Sequence, residues 1–170
     1  MVPHLNYGTI LWGNDQSRIF RLQKKAMRAI SNSKYNSHTS RIFKTLRILK
    51  LQDLHKLQCL NFCYKLEQKI LPNYFLSENM FVEWTRIHGH FNRRENVLFV
   101  PRVRCEFAKQ GIRYKITLFF NEMDQAYKEK IYTHSFQGLK NYIKKKIINS
   151  YETECNLLNC YICNGNHVIN

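Results

Sequence analysis

The feature that most limits what this chain can become is a double periodicity between Gln16 and Ile30. Apolar Ile19, Leu22, Ala26 and Ile30 recur at steps of three and four, the spacing of one face of an α-helix. Arg18, Arg21, Lys25 and Arg28 repeat at the same steps, and on a helical wheel they fall opposite the apolar set. The segment is therefore expected to form a helix with a core side and a cationic side. Asp15, or Ser17, stands at its start, where a side-chain oxygen can accept from free backbone N–H groups. A carboxylate there also meets the positive end of the helix dipole.

A basic stripe on one helix is often no more than a solvated face. Here it belongs to a longer field. Between Asp15 and Asp53 there is no acidic residue, while Arg18, Arg21, Lys24, Lys25, Arg28, Lys34, Arg41, Lys44, Arg47 and Lys50 all lie in that interval. Mixed charges suffice for solubility, so a run of one sign points to an anionic partner. The whole chain carries a formal net charge of +15. Its self-repulsion is relieved most simply by phosphates, which makes nucleic acid the leading partner class.

With 170 residues, 44% of them hydrophobic, the chain is long and apolar enough to build one modest core or two small packing units. No run approaches the length of a membrane span, and no apolar segment follows a charged N-terminus. A soluble, intracellular protein is expected, nuclear or cytoplasmic. Without a secretory signal, the six cysteines read as reduced thiols.

Further along, Ile42, Phe43, Leu46 and Leu49, interleaved with Arg41, Lys44 and Arg47, predict a second short helix. From Gln52 to Leu71 apolar residues cover more than half the wheel, as in a helix at the middle of a bundle, and Pro72 ends it. Residues 73–110 show no sustained period and predict loops, with a short extended piece at Val97 to Val100. Ile112 to Met123 fits both strand alternation and a helical face; lacking a partner strand, it is assigned to helix. Ser135 caps a last helix that turns Phe136, Leu139, Ile143 and Ile147 inward and Lys140, Lys144 and Lys145 outward. The expected architecture is mainly α, a small helical bundle with a long irregular middle segment and a loose C-terminal tail. Its divisions are an N-terminal helical unit at 1–76, an irregular connector at 77–110, a C-terminal helical unit at 111–151 and a disordered tail at 152–170.

Three groups are candidates for gripping nucleic acid: Arg18, Arg21, Lys24, Lys25 and Arg28; Arg93, Arg94, Arg102 and Arg104, near Phe91 and Phe99; and Lys140, Lys144 and Lys145. Such cations give sequence-independent phosphate contacts, and exposed aromatics stack unpaired bases, although most aromatics here are expected in the core. Polymerase chemistry needs carboxylates gathered around two metal ions. The twelve acids are scattered with no adjacent Asp pair, so no catalytic residue and no cofactor is expected. Cys160 and Cys163, with Cys155 before and His167 after, have half the look of a zinc site but lack a second well-spaced pair, so a plain tail is preferred. His55, Cys59 and Cys63, each four residues apart, read as core positions.

Tyr7-Gly8 followed by Trp12-Gly13, then Leu22-Gln23-Lys24-Lys25-Ala26 with Arg28 and Ile30, resembles the segment after the polymerase core in jockey-like non-LTR retrotransposon (LINE) reverse transcriptases. The similarity continues in the family's order. It passes through His38-Thr39, Ile42-Phe43, Asp53-Leu54, Leu71-Pro72, Ile87-His88, Pro101-Arg102, Ile112-Arg113-Tyr114, Phe120-Asn121 and Ser135-Phe136, and closes near Tyr151. The chain departs from the family at Asn92-Arg93, where Thr-Arg is usual, and after Phe120-Asn121, where Trp-Asn is followed by Leu-Pro. The family's aromatic-x-Asp-Asp palm signature is absent. The resemblance implies a thumb and post-thumb region that helps hold template RNA or target DNA, with the catalytic reverse transcriptase core in a longer parent polyprotein. It also implies that Met1 opens a truncated copy. Two other readings stand beside this one: a helical interaction module that docks on an acidic partner, and a degenerate copy without function.

Overall fold

A computed structural model describes residues 8–12, 17–73 and 98–151. Among these the chain is helical, and no strand occurs. Eight helices lie wholly within the described residues: α1 (Thr9–Trp12), α2 (Ser17–Ile30), α3 (Thr39–Thr45), α4 (Leu51–Glu67), α5 (Glu106–Lys109), α6 (Ile112–Glu122), α7 (Gln125–Thr133) and α8 (Phe136–Asn149). The mainly helical expectation is met.

α4 is the axis of the arrangement. Leu51, Leu54, His55, Leu57, Cys59, Leu60, Asn61, Cys63 and Tyr64 are all buried, which covers most of its circumference. It packs against α1, α2, α6 and α8, as its wide apolar arc predicts. Around it, Met27 of α2, Phe43 of α3, Ile116 and Phe120 of α6, Tyr127 and Ile131 of α7, and Leu139 and Ile143 of α8 complete one apolar cluster.

Three helix ends share a device that the sequence hides. After α2, α3 and α4 the chain turns through a left-handed residue, Asn32, Arg47 and Lys69, with φ of 49°, 51° and 55°. Ser33, Ile48 and Ile70 then donate back to the carbonyls of Arg28, Phe43 and Lys65, the six-to-one bond of a Schellman motif. Glycine is the usual occupant of that position, and none marks these stops. α4 therefore ends at Glu67, ahead of Pro72, and α3 ends at Thr45, so Leu46 and Leu49 lie outside it.

Two side-chain amides hold irregular backbone to the bundle. Gln23 Nε2 donates to the Leu49 carbonyl at 2.9 Å, and its Oε1 accepts from the Leu51 N–H at 3.0 Å. Asn121 treats Leu98 the same way, donating to its carbonyl and accepting from its N–H, both at 2.9 Å. Of the expected extended piece at Val97 to Val100, Leu98 is a single bridge residue, held also by this side chain, and Val97 lies outside the described residues.

Other expectations are corrected. Of the expected inward face of α2, Ile19 packs against the core and Ala26 is half-buried, but Leu22 is 60% and Ile30 62% exposed. Gln23 and Met27 are buried instead, with Phe20 half-buried and stacked on Phe43 at 6.4 Å. At 3.6 residues per turn the core face is roughly a quarter turn from the expected one. Residues 73–110 are not all loop, since α5 lies there. Between Met123 and Ser135, where no element is expected, α7 buries Tyr127 and Ile131 and is capped by Asp124, whose carboxylate accepts from the Tyr127 N–H.

Candidate nucleic-acid interface

The last helix begins as its sequence predicts, with Ser135 Oγ accepting from the Gly138 N–H. Leu139, Ile143 and Ile148 are buried while Lys144, Lys145 and Lys146 are exposed; Lys140 is half-buried. On α2, Arg18, Arg21 and Lys25 are exposed, but Lys24 and Arg28 are not fully so. Lys24 lays its ammonium over the Phe20 ring at 4.3 Å. Arg28 Nε donates to the Ser37 carbonyl at 2.9 Å, so its guanidinium braces the loop after α2 rather than standing free.

α3 joins the two basic helices, since it packs on both α2 and α8. It brings exposed Arg41, and exposed Arg47 follows at its end. In the sequence these residues register only as cations interleaved with the apolar positions of α3. Their position between two basic helices becomes visible in the tertiary structure, and the acid-free interval from Gln16 to Gln52 is the signal that marks them.

Tyr151 locks this corner. Its hydroxyl accepts from the Lys50 N–H at 3.0 Å and donates to Asp53 Oδ2 at 2.5 Å. Lys50 is the N-cap residue of α4 and Asp53 lies in its first turn, so the hydroxyl bridges the N-cap N–H to the first-turn carboxylate, a link that in a capping box the acidic side chain makes directly. Lys44 Nζ donates to the Tyr151 carbonyl at 3.0 Å, a cation at the negative end of α8. Lys50 Nζ sits 4.4 Å from the centre of the Tyr151 ring. Burial, and then the hydrogen bond to Asp53, raise the Tyr151 phenol well above its ordinary value, so it remains a donor at every physiological pH.

Two groups stand out among the cations of the described residues. Lys24, Lys50, Lys56, Lys65, Lys128 and Lys130 lie over aromatic rings, their stems covering the edges of the core. Arg18, Lys25, Arg41, Arg47, Lys144 and Lys145 project into solvent. Three lysine–carboxylate ion pairs occur among the described residues: Lys56–Glu122, Lys109–Glu106 and Lys146–Asp124. None of these three involves a residue of α2 or α3.

Two of the remaining candidates belong to another segment. Arg102 and Arg104 are exposed on the segment leading to α5, which packs on α6. Arg93, Arg94, Cys155, Cys160, Cys163 and His167 lie outside the described residues, as does Asp15. Among the described residues no group of His, Cys, Asp and Glu is placed to hold a metal ion, and no helix is long and apolar enough to cross a membrane. Cys59 and Cys63 are buried in α4. Burial pushes the Cys59 thiol up to about 12 and the Cys63 thiol up as well, so both are inert packing groups. His55 Nε2 lies 3.5 Å from Cys59 Sγ, and its ring meets Phe119 edge to face at 5.9 Å.

Compared with known proteins, the chain matches no family model, no curated protein and no solved structure.

Proposed function

We propose that the chain grips nucleic acid through the corner formed by α2, α3 and α8, as a non-catalytic accessory region of a LINE-type RNA-directed DNA polymerase whose catalytic core lies outside these residues. Template RNA or target DNA is the proposed ligand. The observation that carries the reading is the joining of two basic helices through a third in a stretch without a carboxylate. A polyanion crossing α2 toward α8 meets Arg18, Lys25, Arg41, Arg47 and Lys144 without meeting a carboxylate of α2 or α3. Phosphates are the ligand such a field favours, because each contact releases a condensed counterion.

The test is binding of a labelled duplex across a salt series. Phosphate gripping requires log affinity to fall linearly with log salt, by roughly 0.9 per phosphate neutralised on duplex DNA. The double substitution Arg18→Glu and Lys25→Glu, both on the exposed face of α2, is expected to lower affinity and flatten that slope by about two contacts, with the circular dichroism spectrum unchanged. Unaltered affinity and slope in the double variant would remove α2 from the grip.

A second reading rests on Leu22 and Ile30, which are 60% and 62% exposed beside the arginines. An apolar edge next to cations also suits an acidic amphipathic helix. Salt separates the two: a partner held by Leu22 and Ile30 tolerates salt and is lost with Leu22→Ser, whereas phosphate binding shows the reverse.

A further inference from the structure

Among the described residues up to Leu71, Tyr35 is the most exposed of the large hydrophobic side chains, at 79%. It sits in the loop between α2 and α3, inside the interval from Gln16 to Gln52 that contains no carboxylate. A lone exposed tyrosine is ordinary. What sets this one apart is how its backbone is held.

Ser37 N–H donates to the Lys34 carbonyl at 3.0 Å, which makes Lys34–Ser37 a β-turn with Tyr35 and Asn36 at its two corners. One residue of α2 holds the end of the turn and the stretch that precedes it. Arg28 Nε donates forward to the Ser37 carbonyl at 2.9 Å, and the Arg28 carbonyl accepts from Ser33 N–H at 2.9 Å and from Ser31 Oγ at 3.2 Å. Ser31 and Ser33 hydroxyls bond each other at 2.8 Å. The loop is thus a braced structure that presents a phenol ring outward, with Lys34 next to it in the chain and Arg41 on the helix that follows. With the backbone held in this way, only the side-chain torsions of the tyrosine lose freedom when another flat group stacks on the ring.

Phe107 is the instructive contrast. It is 84% exposed on α5, but Glu106 precedes it and Lys109 is tied to Glu106 at 2.5 Å. The nearest sequence to Phe107 therefore has its charge partly cancelled, whereas that around Tyr35 does not.

Resting on the reading that the corner grips nucleic acid, we propose that Tyr35 is a stacking platform for an unpaired base, so that the site takes single-stranded RNA or DNA in preference to duplex. A base within a duplex already has both faces covered by its neighbours, and only a single strand can lend one to the ring. The cations supply phosphate contacts on either form, and the stacked base adds affinity to one of them.

Anisotropy titrations with oligothymidine, oligouridine and a mixed-sequence duplex test this. Tyr35→Ala is expected to weaken binding of both single strands by roughly fivefold or more, the loss of one stacked base. It is expected to leave the duplex unaffected and the salt slope of single-strand binding unchanged, since no phosphate contact is lost. Tyr35→Phe, which keeps the ring, should bind as the parent does, and Phe107→Ala should too. Equal losses on duplex and single strand, no loss on either, or a loss with Phe107→Ala matching that with Tyr35→Ala would overturn the assignment while leaving the basic grip intact. Failure of the parent protein to bind any of the three ligands would instead remove the grip itself. Oligothymidine and oligouridine compared directly report whether DNA or RNA is preferred.

Discussion

Replacing Tyr151 with Phe removes one oxygen and keeps the ring beneath the Lys50 ammonium, so it isolates what the hydroxyl contributes. That oxygen takes part in two hydrogen bonds: it accepts from the Lys50 N–H at 3.0 Å and donates to the Asp53 carboxylate at 2.5 Å. A neutral bond of the first kind contributes about 1 kcal/mol, and a bond to a carboxylate about 1.5–3 kcal/mol. Asp53 is half-buried, so water recovers part of the second in the variant. The expected net loss is about 2 kcal/mol, which for a chain of this size lowers Tm by roughly 4–8 °C. Urea and thermal unfolding followed by far-ultraviolet circular dichroism would measure it. The same pair should couple in a double-mutant cycle: Asp53→Asn is expected to cost much less in the Tyr151→Phe background than in the parent. A loss under about 0.5 kcal/mol, or strict additivity of the two substitutions, would refute the view that the end of α8 caps α4.

Gln23→Ala should destabilise by about 2–5 kcal/mol, since it strands the buried Leu49 carbonyl and Leu51 N–H together; equilibrium urea unfolding with a loss below about 1 kcal/mol would count against the clamp. Burial, aided by the Lys115 ammonium and opposed by a backbone hydrogen bond involving Ile10, holds His55 below its ordinary value of 6.5. The unfolded chain therefore binds that proton more readily, and stability should be full above about pH 6.5 and fall as pH drops toward the lowered folded value. In His55→Gln the plateau should drop and this part of the pH dependence flatten; an unchanged slope in pH-resolved unfolding would exclude His55 as its source.

Much of this chain can be read from residue order. The buried character of α4 follows from an apolar arc too wide for a surface helix, and the end of α8 that begins at Ser135 follows from a hydroxyl placed before a periodic apolar run. The absence of carboxylates between Asp15 and Asp53 is a property of the sequence alone, and so is the sign of the field that α2 and α3 present. The helix stops were hidden because Asn32, Arg47 and Lys69 occupy left-handed positions where glycine would have announced a turn. α7 was hidden because its inward face is only Tyr127 and Ile131 among polar neighbours, too short a repeat to stand out.

Which face of α2 turns inward was decided elsewhere in the molecule. Burying Leu22 and Ile30 would gain about 1.5–3 kcal/mol each, but it would expose Phe20 and Met27, whose burial is worth about as much. Apolar area alone leaves the two orientations nearly tied. The corner between α3 and α4 breaks the tie, because its Leu49 carbonyl and Leu51 N–H are buried and each costs about 1–3 kcal/mol if left unpaired. Only the orientation that sends Gln23 inward satisfies both. Local periodicity fixes that a helix forms and how its charges are spaced, because those depend on neighbours three and four residues away. The rotation of that helix depends on polar groups 26 and 28 residues distant, and the cap on α4 on a hydroxyl 101 residues away, separations that no periodicity within a helix can encode.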